Sequence, residues 1–449
     1  MQNALHKFFS FILGSLILWP VIGFTDPAPE TESESESTPQ QLSIEDVQRF
    51  SNAINQIKQY YVNSIGDEQL FDDAIRGMLE GLDPHSAYLD EEDFADLQAA
   101  TSGEFGGLGI EVTMENGLIK VITPIDETPA QKAGIKSGDY IIRLNETPVK
   151  GMTLRDAVTK MRGKKGSTID LTIIRPGETE PRHITLERDV IQVKSINRQL
   201  YQNKYGYIRI THFQALTTQD LLTAIAQLKQ QANGKLSGLI LDLRNNPGGL
   251  LDSAIAVSDA FIHNDQTGDE ELIVYTEGRI PGSKFTVAAS PGDILDGAPI
   301  VVLINEGSAS GSEIVAGALR DNNRAILVGT KSFGKGSVQT VIPLDENHGI
   351  KLTTAMYFTP SGDSIQAKGI VPDILIENLT VPEQAQKDTV DLIEEADLTG
   401  HLEVESSDLT TQTNATTLKD ESDNPNLLHT DYQLYQALNI LTGLALSRD

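Results

Sequence analysis

Asn305-Glu-Gly-Ser-Ala-Ser310-Gly-Ser-Glu-Ile-Val-Ala-Gly-Ala-Leu-Arg-Asp321 decides how the rest of the chain is read. The apolar run Ile300 to Asn305 predicts a strand, small residues make the turn, and Ser310 stands where a helix begins. A second strand, Ala325 to Gly329, leads into Thr-Lys-Ser-Phe-Gly334-Lys335-Gly336-Ser-Val-Gln339. A serine at the mouth of a helix and a lysine between glycines can meet as nucleophile and base. The eight histidines are scattered, and none lies in this stretch.

Each of these residues also has a plainer explanation. Ser310-Gly311-Ser312-Glu313 is a capping box, in which serine and glutamate satisfy the free N–H groups of a helix start. The same position places a serine beside unpaired N–H groups and the positive end of the helix dipole, so the Gly311 N–H suits an oxyanion. Gly329 to Lys335 matches a P-loop up to its last position, but Gly336 replaces the Ser or Thr that holds magnesium. The β-branched residues after it predict a strand where a P-loop needs a helix. Ser332-Phe-Gly-Lys335 spells the Ser-x-x-Lys of penicillin-binding enzymes without their helix or companion motifs. Glycines on both sides of Lys335 point instead to close backbone packing around it.

The chain has 449 residues, enough for about three domains. A formal charge of −29 argues against nucleic acid as a partner, since phosphate binding needs Lys and Arg. With no cysteine, disulfides, thiolate catalysis and Cys-ligated metal are excluded. Lys7 and the apolar run Phe8 to Phe24 fit a secretory signal (residues 1–24), with an uncleaved membrane anchor as the alternative. Both place the body outside the cytoplasm. Residues 25–41, rich in Pro, Glu, Ser and Thr, predict a disordered tether.

Residues 42–102 show helical spacing: Ile44, Val47, Phe50, Ile54 and Ile57 recur on one face. Asp83-Pro-His-Ser86 signals a turn. From Gly103 to Val190 the pattern changes to strands: Phe105-Gly-Gly-Leu-Gly-Ile110, strands at Leu118 to Ile122, Gly138 to Asn145 and Thr168 to Arg175, and helices at Pro129 and at Leu154 to Arg162. That order resembles a PDZ domain, β-rich with two helices. Strands alternate with helical stretches from Tyr207 to Asp373, which predicts an α/β core with parallel pairing (residues 191–380). Residues 381–449 form an acidic tail ending in a helical pattern from Tyr432 to Leu446.

Asn305 to Arg320, Phe333 to Gln339, Leu241 to Gly249, Asp83 to Leu89 and Gly369-Ile-Val-Pro-Asp373 resemble the carboxy-terminal processing proteases. The resemblance spans about Leu42 to Asp373 with a PDZ domain in the expected place. It implies an α/β serine protease core with an inserted PDZ domain and helical flanks. It also implies Ser310 as nucleophile, Lys335 as base and Gln339 orienting the lysine. Gly311 would supply one oxyanion N–H and Gly248 or Gly249 the second. A free lysine near pKa 10.4 is protonated at neutral pH, so Lys335 must be desolvated to act. In a regular strand Lys335 and Gln339 would share a face, their separation being even. Two departures stand out: Gly311 where the family has Ala, and Asp363 where it has Arg after Thr359-Pro-Ser-Gly362.

The expected function is proteolysis of envelope proteins, with no metal or cofactor. A substrate's C-terminal carboxylate would dock on the N–H groups of Leu108, Gly109 and Ile110, adding a strand. Arg162, at the end of the second PDZ helix, is by resemblance placed to contact the protease body and regulate it. The runner-up is a catalytically silent PDZ scaffold that binds protein C-termini. The expected location is the periplasm or cell envelope, reached across the inner membrane. An adaptor lipoprotein, homo-oligomers and membrane association through the N-terminus are left open.

Overall fold

The computed structural model describes residues 42–125, 127–263, 271–382 and 427–447. Residues 1–41, where a signal or anchor and a tether are expected, and most of the acidic tail lie outside the described residues. The chain divides into two compact units, residues 1–70 and 71–449. In the first lies α1 (Ile44–Tyr60), capped by Ser43, which accepts the Asp46 N–H. The expected helix forms, but Ile44, Val47, Phe50 and Ile57 are exposed and none of its residues is buried. No described helix is long and apolar enough to cross a membrane.

After α2 (Asp67–Glu80) comes a short strand, β1 (Ala87–Leu89), that the helical spacing did not reveal. Asp90 then caps α3 (Glu91–Ser102), which ends at Gly103. The next segment carries β2 (Glu104–Gly107), β3 (Ile110–Glu115), β4 (Leu118–Pro124), α4 (Pro129–Lys132), β5 (Tyr140–Leu144), β6 (Thr147–Pro148), α5 (Leu154–Met161), β7 (Thr168–Ile174), β8 (Arg182–Glu187) and β9 (Asp189–Gln192). Strands β3-β4-β5-β7-β8 form its sheet in that order around an independent core that includes Ile119, Val121, Ile141, Leu171 and Ile173. β2 and β9 pair antiparallel, Glu104 with Gln192 through Gly107 with Asp189. The chain thus enters and leaves the inserted domain through one two-stranded ribbon.

The core continues with β10 (Ile196–Tyr201), β11 (Tyr205–Ile210), α6 (Thr217–Gln231), β12 (Gly238–Asp242), α7 (Leu251–Asp259), β13 (Leu272–Gly278), β14 (Phe285–Ala288) and β15 (Ile300–Ile304). It is completed by α8 (Gly311–Asp321), β16 (Ala325–Gly329), β17 (Ser337–Pro343), β18 (Gly349–Phe358), β19 (Ile374–Leu375), α9 (Leu427–Thr430) and α10 (Tyr432–Leu446). The central sheet runs β10-β11-β12-β15-β16-β19 and is parallel from β11 onward, as the strand–helix alternation predicts. β12 and β15 are buried along their whole length, because both faces are covered. Leu239, Leu241, Val302 and Ile304 pack toward α6, α7 and α8. Ile240, Val301 and Leu303 face Leu434, Ala437, Leu438 and Leu441 of α10. The terminal helix is therefore one wall of the core, fastened by Arg244, which donates to Asp242 and Asp431 at 2.7 Å each.

A second, antiparallel sheet (β1-β18-β13-β14, with β17 also on β18) carries the hairpin that follows Lys335.

Candidate active site

Three serines compete for the turn between β15 and α8. Ser308 and Ser312 are fully buried and occupied, donating to the carbonyls of Leu243 and Asn246 at 2.8 Å each. Ser310 alone is partly accessible. Its backbone, at φ 53° and ψ −112°, lies in a region that costs a non-glycine residue on the order of 1–3 kcal/mol. Such strain persists only where the surroundings enforce it.

Glu313 does much of the enforcing. It is completely buried, and its carboxylate accepts four hydrogen bonds: Ser310 N–H (2.8 Å), Lys335 N–H (2.9 Å), Gly334 N–H (2.7 Å) and the Ser332 hydroxyl (2.6 Å). Burial pushes its pKa up, against the pull of those donors. The capping-box spacing marked Glu313 as a helix cap. Nothing in the sequence marked it as the tie between the serine turn and the lysine loop.

That loop is braced from its other side. Ser332 donates its N–H to the Ile370 carbonyl and accepts the Ile370 N–H on its hydroxyl (3.0 and 2.6 Å). Gly336 donates to Gln366 at 2.9 Å. A β-carbon on Gly334 would lie 2.9 Å from the Gly369 nitrogen, so the glycine before Lys335 is required by close packing. The Lys335 side chain is held below its ordinary pKa, first by burial and then by repulsion from Lys351, with Glu313 opposing. Among the described residues its amine makes no hydrogen bond or ion pair. Tyr357, almost wholly buried, donates its hydroxyl to the Lys335 carbonyl, and the Ser310 side chain is near enough to favour its ionised form against the effect of burial. Sequence reading missed this tyrosine, which sits in an ordinary apolar strand.

Gln339 departs from expectation. The even-spacing argument assumed a regular strand, but β17 begins only at Ser337, and a β-bulge interrupts its pairing with β18 between Val338 and Gln339. The amide nitrogen of Gln339 donates to Ser337 Oγ (3.0 Å) and Thr353 Oγ1 (3.3 Å), and among the described residues the Lys335 amine donates no hydrogen bond to the amide oxygen.

The Gly248-Gly249 turn lies directly against Ser310. A β-carbon on Gly248 would stand 2.8 Å from Ser310 Cβ, and one on Gly249 2.1 Å from the Phe213 carbonyl oxygen. The Gly248 N–H is tied to Asn246 Oδ1 at 2.9 Å. No acceptor among the described residues meets the N–H of Gly249 or Gly311.

In the inserted domain, Leu108 and Gly109 turn their carbonyls inward, to Ala130 N–H (3.0 Å) and Ile125 N–H (2.8 Å). Gly109 is left-handed (φ 74°) and leaves no room for a β-carbon beside Thr128. The N–H groups of Leu108 and Gly109 meet no acceptor among the described residues. With Ile110, Val112, Val158 and Met161 they line a small apolar cavity between β3 and α5. Arg162 closes it. Its guanidinium lies 5.3 Å from the Phe105 ring centroid and pairs with Asp96 of α3. Arg162 thus meets the helical region rather than the protease core. Arg155 and Thr159 of α5 extend the contact, both bonding Glu92 (3.1 and 2.7 Å).

Comparison with known proteins agrees with this architecture. Residues 204–376 match the family described as Peptidase family S41, residues 106–186 a PDZ domain, and residues 12–93 the activating protease CtpB N-terminal domain. The carboxy-terminal-processing protease of Bartonella bacilliformis is 46% identical over 415 residues, 92% of this chain and 91% of that protein. Carboxy-terminal processing protease CtpA of Bacillus subtilis is 38% identical over 330 residues, 73% of this chain and 68% of that one. Among solved structures, the photosystem II D1 C-terminal processing protease aligns with a TM-score of 0.43 at 30% identity, covering 73% of this chain and 86% of its own. The chain belongs to the carboxy-terminal processing proteases, serine peptidases of family S41 that carry a PDZ domain.

Proposed function

We propose that this chain is a Ser–Lys endopeptidase acting in the cell envelope on proteins it recognises by their C-terminal tails. The observation that carries the chemistry is the shared clamp. Glu313 holds the backbone of a strained, accessible serine and of a buried, pKa-lowered lysine at once. A neutral Lys335 amine takes the proton of Ser310 Oγ as that oxygen attacks the scissile carbonyl. The resulting ammonium returns the proton to the departing amine, and water then releases the acyl group by the same route. The N–H groups of Gly311 and Gly249, both without acceptors among the described residues, are the best placed to receive the oxyanion, while Gly248 gives the close approach to Ser310.

The amine of Lys335, unengaged among the described residues, supports a resting arrangement in which the dyad closes only when substrate arrives. The substrate tail enters the β3–α5 cavity, its carboxylate on Leu108, Gly109 and Ile110. Arg162 at the rim couples that occupancy to the contact with α3. Envelope location rests on the N-terminal sequence pattern. Cleavage of unfolded casein by the purified protein, lost in Ser310→Ala, tests the enzyme reading. A Ser310→Ala protein that cleaves casein as the wild type does would overturn it.

A further inference from the structure

We propose that Asp83 and Thr353 are positioning residues that set the orientation of the Gln339 amide and thereby aim its oxygen at the Lys335 amine. The proposal rests on the Ser–Lys reading above and adds two residues to it.

The chain of contacts starts in the Asp83-Pro-His-Ser86 turn. Asp83 Oδ1 accepts the N–H groups of His85 (2.8 Å) and Ser86 (2.9 Å), and Oδ2 accepts the Ser86 hydroxyl (2.7 Å). The Thr353 hydroxyl of β18 also donates to Asp83 Oδ1, at 3.2 Å. Burial opposes ionisation of this carboxyl, but the hydrogen bonds outweigh it and bring the pKa down to about 2. Asp83 is therefore an acceptor only.

That fixes the direction of everything beyond it. Thr353 has a single hydroxyl proton and gives it to Asp83, so toward Gln339 it has only a lone pair to offer. It can face the amide nitrogen and not the amide oxygen, and the 3.3 Å contact is with Nε2. The second Nε2 hydrogen goes to Ser337 Oγ at 3.0 Å. Both hydrogens of the amide are thus engaged, and Oε1 has no partner among the described residues. Nor has the Lys335 amine, which lies within electrostatic reach of His85, in the same turn as Asp83, and of Lys351, two residues before Thr353. A neutral amine that donates to Oε1 turns its lone pair elsewhere, as a base for Ser310 requires. Without the Asp83–Thr353 pair the amide is free to flip and present its nitrogen to a group that needs an acceptor.

The test is a double-mutant cycle on the full chain, with kcat and KM on a peptide substrate and the melting temperature of each variant. Thr353→Val keeps the shape and removes the hydroxyl, and kcat should fall roughly tenfold with KM nearly unchanged. Thr353→Ser should restore most of it. In a Gln339→Ala background, Thr353→Val should cost nothing further, because it acts through that amide. Wild-type kcat in Thr353→Val, failure of Thr353→Ser to recover, or a full additional loss in the double variant would each overturn the proposal. The Ser–Lys reading stands or falls separately, on Ser310→Ala.

Discussion

The serine–lysine site and the contact between α3 and α5 are both organised by carboxylates, in opposite surroundings. Glu313 is fully buried and receives four donors from two segments. Glu92, Asp93 and Asp96 meet Arg155 and Arg162 at the surface, where the paired side chains are between 34% and 63% exposed. Buried, satisfied carboxylates fix geometry, and removing one leaves unmatched donors. Exposed ion pairs are weak and screened by salt, so they exchange partners readily. The first arrangement suits chemistry that needs atoms held still. The second suits a contact that can be broken at small cost.

The sharpest break of this contrast is at the reacting groups. Ser310→Ala should lower kcat by on the order of 10⁶ while leaving the melting temperature in place. Activity above a tenth of wild type would redirect attention to Ser308 or Ser312. Lys335→Arg should be as inactive as Lys335→Ala, because a guanidinium stays protonated.

Glu313→Ala should come next, with activity lost and the fold weakened by about 3 kcal/mol or more as buried donors go unmatched. Asp96→Ala, by contrast, should leave the melting temperature nearly unchanged. Equal effects in chemical denaturation would erase the distinction between the two regions.

The pH profile of kcat/KM sharpens the buried side. The folded Lys335 has a pKa below 10.5, and only its neutral form accepts a proton, so activity should rise with pH through a value below 10.5. Lys351→Met removes the repulsion that helps depress it and should move that rise to higher pH. A profile flat from pH 6 to 10 would contradict the base role.

The smallest effects belong to the exposed contact. Arg162→Ala should reduce cleavage of tail-bearing substrates several-fold, more than it weakens tail binding measured by calorimetry. Deleting residues 103–190 should raise basal cleavage of an unstructured substrate if the domain restrains the protease. Loss of affinity alone, with Arg162→Ala silent, would make the domain a tether.

Ser310 and Lys335 were legible because short-range marks surround them: a strand, a small-residue turn, flanking glycines. The PDZ segment was legible for the same reason. What escaped is long-range. Glu313 announced a helix cap, but its partners Ser332, Gly334 and Lys335 lie 19 to 22 residues away. Asp83 and Thr353 are 270 positions apart. The bulge at Gln339 broke a parity argument that holds only for regular strands, and no glycine or proline marks it. The terminal helix was visible by its spacing, but its place as a wall of the core depends on which sheet face the other helices left open.

Covalent labelling of the nucleophile tests the Ser310–Lys335 chemistry most directly. The protein would be treated with a fluorophosphonate over a range of pH and the adduct located by mass spectrometry, in wild type and Lys335→Ala. The expected result is one adduct, on Ser310, forming faster as pH rises through a value below 10.5 and absent in Lys335→Ala. Labelling at another residue, or at an equal rate without Lys335, would contradict it.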